Sequence, residues 1–187
     1  VHRFERQALG PLTRGAPPGD AVNGIDLTQR ELLISSFQSE VFNRVLHDRV
    51  NSGTLSTLEL GDLCFKHTTR GVFEVYDVER EQPRCDGHEI SPTGPMPGWR
   101  CQQPGGEIAS REAAALAETG LTHADLAEGD YTAEGSRRAL RMLVTNPDIS
   151  AGVDEHGAYI RVGFELSRGC FATTVTREIM KPPPPAT

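Results

Sequence analysis

Tyr159-Ile160-Arg161-Val162-Gly163-Phe164-Glu165-Leu166 runs directly into Ser167-Arg168-Gly169-Cys170-Phe171-Ala172-Thr173-Thr174-Val175-Thr176-Arg177-Glu178-Ile179. In the first stretch Ile160, Val162, Phe164 and Leu166 share one face, with Tyr159, Arg161, Gly163 and Glu165 on the other. That is the period of a half-buried strand. In the second, Ala172, Val175 and Ile179 recur at helical spacing, and Pro182 supplies the stop. A strand passing through a short Gly turn into a helix aims backbone N–H groups outward, and such a helix start favours anions. Arg168 and Arg177 add positive charge, and Phe171 sets an aromatic face at the junction. The set suits a nucleotide, phosphate near the amides and base on the ring. It equally suits an ordinary structural corner with Phe171 in the core.

The 187 residues allow one large domain or two small ones, and are enough to bury a real core. Hydrophobic content of 37% and a mean hydropathy of −0.40 fit an ordinary soluble protein. No apolar run reaches the length of a membrane span, and no signal-peptide pattern opens the sequence. Cys64, Cys85, Cys101 and Cys170 form no CxxC pair, so reduced thiols and a cytoplasmic location are expected. The net charge of −7 argues against a general nucleic-acid binder. Residues 135–187, however, carry seven Lys/Arg against five Asp/Glu, a net +2, leaving −9 for the rest. RNA contact would be confined to a local arginine-rich cleft.

Residues 1–26, with Gly10-Pro11, Pro17-Pro18-Gly19 and Asn23-Gly24, read as loop or linker. Thr28 and Glu31 form a capping-box signal for a long helix reaching about Asn51, with Leu33, Phe37, Val41, Val45 and Leu46 inward. Strands follow over 58–65 and 72–78, joined by a turn at 69–71. Residues 79–109 read as loop around Ser91-Pro92-Thr93-Gly94-Pro95-Met96-Pro97-Gly98, a stiff and specific path. Ser110 is the expected cap of a second helix ending near Gly120, and Thr122 with Asp125 opens a short third. Residues 139–144 are a further strand candidate, and 182–187 an expected disordered tail.

Chemical motifs are sparse. Cys85, His88 and Cys101 fit no standard zinc spacing, and no fourth ligand accompanies them. The sequence holds no HExxH, GxSxG, Walker loop or GxGxxG. Asp62, directly after Gly61, reads as a turn or strand-edge residue with no activating base beside it.

Five segments in order resemble the tRNA pseudouridine synthase D (TruD) family, which modifies a uridine in the D-arm region of transfer RNA. They are Phe42-Asn43-Arg44-Val45-Leu46 with Arg49-Val50, Gly61-Asp62-Leu63, the Pro/Gly segment 91–98, Gly135-Ser136-Arg137-Arg138, and the strand-turn-helix from Phe164 to Lys181. The resemblance implies an α+β fold, a mixed, largely antiparallel sheet flanked by helices, carrying an inserted α/β domain. It places a linker or remnant of the catalytic half at 1–27, the insertion at 28–134 and the return into the catalytic sheet at 135–181. It implies that Phe171 packs against the target uridine or its neighbour, and that Arg137, Arg138, Arg168 and Arg177 hold phosphate or pin the site. Salt bridging of the arginines to Glu134 and Glu178 is the structural alternative. The implied reaction needs no cofactor and no metal, and the implied partner is tRNA, with no membrane and a monomeric state.

The family's nucleophilic aspartate, in a Gly-x-Lys-Asp stretch, has no counterpart among these residues. The Gly-Asp pairs at Asp20, Asp62 and Asp130 lack the lysine. His2-Arg3-Phe4-Glu5 is similar to the last piece of the family's Gln-Arg-Phe-Gly motif, with His2 in place of glutamine and Glu5 in place of glycine. A C-terminal portion of such an enzyme is therefore expected. Its rivals are a non-catalytic RNA-binding derivative and an unrelated α/β module whose motifs are structural.

Overall fold

The computed structural model describes residues 3–127, 133–167 and 169–181. It divides into two compact units that meet in sequence between Leu140 and Arg141. The first contains α1 (Arg3–Thr13), α2 (Pro18–Asn23), α3 (Leu27–Asn51), β1 (Leu63–Lys66), β2 (Val72–Glu74), α4 (Val78–Asp86), β3 (Ile90–Met96), α5 (Gly106–Ala117), α6 (His123–Ala127) and β4 (Ser136–Ala139). The second contains β5 (Val144–Asp154), β6 (Gly157–Leu166) and α7 (Ala172–Met180). Helices with antiparallel sheet make the protein an α+β fold.

In the first unit the sheet runs β2-β1-β3-β4, every pair antiparallel. The Pro/Gly segment expected to be loop is its inner strand, β3, and it is almost wholly buried. A central strand normally excludes proline, because each ring removes a ladder donor. Here Ile90, Ser91 and Pro92 pair with β1, whereas Thr93 to Met96 pair with β4. The two prolines thus fall in different pairing stretches, Pro92 opposite Cys64 of β1 and Pro95 opposite Arg137 of β4, and the Pro92 carbonyl still accepts from Leu140 N at 2.9 Å. Above the sheet, Phe37, Val41 and Val45 on α3 meet Ala115 and Leu116 of α5 and Leu126 of α6. A separate cluster of Leu58, Cys64, Val75, Cys85 and Ile90 packs with Phe73 and Val78.

The long helix forms as its spacing predicts, but Asp26 is the N-cap, its carboxylate accepting from Thr28 N at 3.1 Å. Leu33 stays exposed, and the buried face is carried by Val41, Phe42 and Arg49. Residues 1–26 are not a linker over their described part: α1 tolerates Pro11 in its last turn, and α2 opens with Pro18 at its first position. The buried side chains of Ala21 and Ile25 tie this region to the fold. Helix α4 was hidden by Pro83. It is carried by the Asp77 cap on Arg80 N and by Glu79 and Glu81 in its first turn. Helix α5 starts at Gly106, earlier than Ser110, with no side-chain cap. Thr122 and Asp125 do open α6, Thr122 N donating to Asp125 at 2.7 Å. Those hydrogen bonds from Thr122 hold the Asp125 carboxyl below its ordinary range.

The strand expected over 139–144 splits instead. Ser136–Ala139 is β4, an addition to the first unit's sheet, and Val144 opens β5. β4 thereby falls in the first compact unit, which runs to Leu140. In the second unit β5 and β6 form a hairpin, with a bulge between Thr145 and Asp148. Its register puts Ile149, Ala151 and Val153 opposite Val162, Ile160 and Ala158 on one apolar face. The stretch 182–187 lies outside the described residues.

Gly98, just after β3, and Gly135, just before β4, touch through bare backbone. A Cβ on Gly135, where φ is +77°, would sit 2.7 Å from Gly98 Cα and N and 2.9 Å from Met96 O. Gly135→Ala is therefore expected to cost at least about 2 kcal/mol, from a left-handed backbone plus a clash with main chain that cannot rotate away. Urea unfolding followed by circular dichroism measures it.

Candidate functional site

The segments that carry the family resemblance in the first unit converge on β3. Arg137, from β4, reaches Glu112 of α5 with two parallel hydrogen bonds of 2.6 and 2.7 Å. Its remaining donors go to Thr93 Oγ1 and Thr93 O, both at 3.0 Å, and to Gln102 O at 3.4 Å. The Arg137 side chain is 2% exposed and that of Glu112 is 3% exposed. Arg138, the next residue, faces the opposite way, its guanidinium 5.1 Å from the centroid of the buried Phe42 ring. Phe42 in turn fills the space that a Cβ on Gly94 would need.

A second buried charge pair closes the other end of α3. Arg49 donates to Asp62 Oδ1 and to the carbonyls of Thr54 (3.3 Å) and Thr57 (3.0 Å). Asp62 Oδ2 accepts from Glu59 N at 2.8 Å. Asp62 ends the turn from Glu59, its N–H donating to Glu59 O at 3.0 Å just before β1, and it is fully buried there. Burial raises its carboxyl pKa, with Arg49 pulling in the opposite direction. With both oxygens occupied it has no lone pair aimed at a substrate. Between the two pairs lies a cavity of about 260 Å³ lined by Val45, Asp48, Arg49, Thr93, Arg111 and Glu112, among others.

The described part of the second unit sets Phe171 at the N-cap position of α7, 62% exposed, directly after the Gly169 turn. The ring is thus presented outward rather than packed as a corner. Arg177 is exposed on the last turn of α7, where its carbonyl accepts from Lys181 N at 2.8 Å. Arg168 lies outside the described residues.

This architecture and these motifs have counterparts among known proteins. The family model described as tRNA pseudouridine synthase D (TruD) matches residues 1–179. The chain belongs to the TruD family. A tRNA pseudouridine synthase D of Geobacter sulfurreducens is 40% identical over 186 residues, which span 97% of this chain and 43% of that protein. A relative of the same name from Geotalea daltonii is 38% identical over 182 residues, 96% of this chain and 44% of its own length. A TruD crystal structure from Methanosarcina mazei superposes with a TM-score of 0.76 at 22% identity, covering 96% of this chain and 44% of that one. The chain therefore spans less than half the length of the relatives it matches.

Set beside the TruD resemblance, the expected site residues separate into two groups. Arg137 and Arg138 are engaged inside the first unit. The partner of Arg137 is Glu112, a residue no local pattern singled out, and Glu134 pairs with Arg100 at 3.6 Å. Phe171 and Arg177 belong to the second unit. Arg49 was legible only as part of a motif. Its signal was an arginine on the apolar stripe of α3, one turn after Val45. Among the described residues no three His, Cys, Asp or Glu side chains are placed to hold a metal. The Cys85 thiol donates to Ser56 O and that of Cys101 to Ser136 O. No helix among the described residues is long and apolar enough to cross a membrane.

Removing one partner of a buried pair strands the other charge. Glu112→Gln and Arg137→Ala are each expected to lose about 3–5 kcal/mol of stability, with the double variant Arg137→Met/Glu112→Leu recovering much of it. A double-mutant cycle in urea decides this. A near-neutral Arg137→Ala would return that side chain to the ligand-binding candidates.

Proposed function

We propose that the protein acts as a tRNA pseudouridine synthase on a uridine in the D-arm region, and that these residues supply its tRNA-gripping insertion and one wall of the uridine pocket. The observation that carries the reading is Phe171, a large ring presented to solvent at the start of a helix whose first N–H groups lack a side-chain cap. An extruded uridine would stack on that ring, with a neighbouring phosphate at the amides. Arg168 and Arg177 remain the candidates for phosphate contact beside Phe171 in the second unit, whereas Arg137 and Arg138 act in the first as pins of its scaffold.

The chemistry asks little of these residues beyond positioning. In the proposed sequence an aspartate attacks covalently, the bond between C1′ and N1 of the uracil breaks, and the detached base turns. A bond from C1′ to C5 then forms. The covalent bond to the aspartate breaks and frees its carboxylate, C5 loses its proton and N1 gains one, so the product is an isomer of the starting uridine. The aspartate would come from a Gly-x-Lys-Asp segment of the whole enzyme, since Asp62 is sealed against Arg49. No cofactor or metal enters this scheme. A monomer in the cytoplasm is the setting we infer. A non-catalytic tRNA-binding derivative of the family is the second reading.

Two measurements test the reading. The 187-residue chain alone is expected to give no pseudouridine in a tRNA transcript, and product detected by mass-shift chemistry would require a nucleophile within it. In binding assays Phe171→Ala should weaken tRNA affinity by about 1–3 kcal/mol, the worth of one stacked base. In the same experiment tRNA should protect the neighbouring Cys170 thiol from alkylation. Cys64, held inert by a burial-driven pKa of about 12, serves as the unreactive internal control. Unchanged affinity and unchanged Cys170 labelling would remove Phe171 from the site.

A further inference from the structure

The turn that leaves β3 is held from several directions at once. Gln38 Nε2 on α3 donates to Pro97 O at 2.8 Å. The N–H groups of Trp99 and Arg100 donate to Ala133 O (3.3 Å) and Glu134 O (2.7 Å), and Cys101 N donates to Gly98 O (3.1 Å). The Cys101 thiol reaches Ser136 O at 3.2 Å, and the Gly98–Gly135 contact closes the base of the turn. On this backbone Trp99, the single tryptophan of the chain, is 55% exposed. The Arg100 guanidinium lies 5.1 Å from its ring and pairs with Glu134 at 3.6 Å, so the indole is braced as well as displayed.

Packing of the first unit does not account for this arrangement. A large apolar ring is normally drawn inward, and one left in solvent usually sits on a mobile loop rather than a pinned one. A rigid, exposed aromatic loses little conformational freedom when something docks on it, which makes it an efficient contact.

We propose that Trp99, braced by Arg100, is a second stacking platform for an unpaired base of the tRNA. This rests on the tRNA-binding reading above and adds to it a contact in the first unit, built from residues other than Phe171. An RNA base presents a flat π-face matched to the indole, and Arg100 beside it can turn to a phosphate, which a peptide segment would not offer. Residues 1–140 carry a net charge of −7, so attachment here comes from stacking more than from counterion release, and its salt dependence is shallow.

The single tryptophan makes the test direct. The 187-residue chain is titrated with an unmodified tRNA transcript and, separately, with a fully paired RNA duplex of similar length, while its intrinsic emission is read. Stacking is expected to quench the emission with tRNA and not with the duplex. Trp99→Ala should bind tRNA roughly 5- to 100-fold more weakly, and Trp99→Phe, which keeps a ring, within about threefold of wild type. The wild-type emission decides the matter even if a variant folds poorly. Binding of tRNA with unchanged emission, or with equal affinity for a folded Trp99→Ala, overturns this inference and leaves the tRNA reading standing. Failure of the wild-type chain to bind tRNA overturns both.

Discussion

Glu112 is a carboxylate on an otherwise apolar helix face, and it can be buried only because Arg137 arrives from another strand to meet it. A lone charge in that position would cost several kcal/mol; a bidentate pair with its spare donors satisfied by Thr93 and Gln102 costs far less. The pair fixes more than energy. A guanidinium fork accepts one in-plane carboxylate geometry, so it sets the height of α5 above the sheet and the register of β4 against β3. The cavity between α3 and α5, the contact of Phe42 with Gly94 and the Arg138 stack all depend on that register.

The residues whose order resembles TruD are, in the first unit, largely parts of one scaffold. Gly94 makes room for Phe42, Gly98 and Gly135 allow two turns to abut, and Arg49 with Asp62 locks the far end of α3. Motif residues of this kind hold the first unit's strands and helices in place. Among the exposed large side chains are three well-exposed aromatic rings, Tyr76 and Trp99 in the first unit and Phe171 in the second. With a net charge of −7 the chain has little long-range attraction to offer a polyanion, so any such contact as proposed above would depend on rigidly held side chains.

Much of this was legible in the residues themselves, where period and cap agreed. Helix α3, strand β6, the hinge into α7 and the Thr122 cap of α6 each announce themselves through local spacing. What stayed hidden was decided by tertiary contact. Prolines 92 and 95 read as loop because a ladder needs N–H donors, and nothing local reveals that β3 divides its pairing between two neighbours. Pro11 and Pro83 hid α1 and α4 for the related reason that a broken hydrogen bond can be outweighed by the rest of a helix. The pairing of Arg137 with Glu112 rather than with nearby Glu134 could not be read locally, because sequence separation says nothing about burial. Phe171 was readable as an aromatic at a helix start, but its exposure was not.

The divided pairing of β3 also sets an order of assembly during synthesis. β2, β1 and the first half of β3 lie within about thirty residues of one another and can pair as soon as they emerge. The second half of β3 must wait for β4, after α5 and α6 have been made, and until then Glu112 lacks its cation and Pro95 faces an empty edge. A ribosome paused before residue 136 would therefore carry a half-laddered sheet with an unpaired strand edge, the state most open to mispairing with another nascent copy.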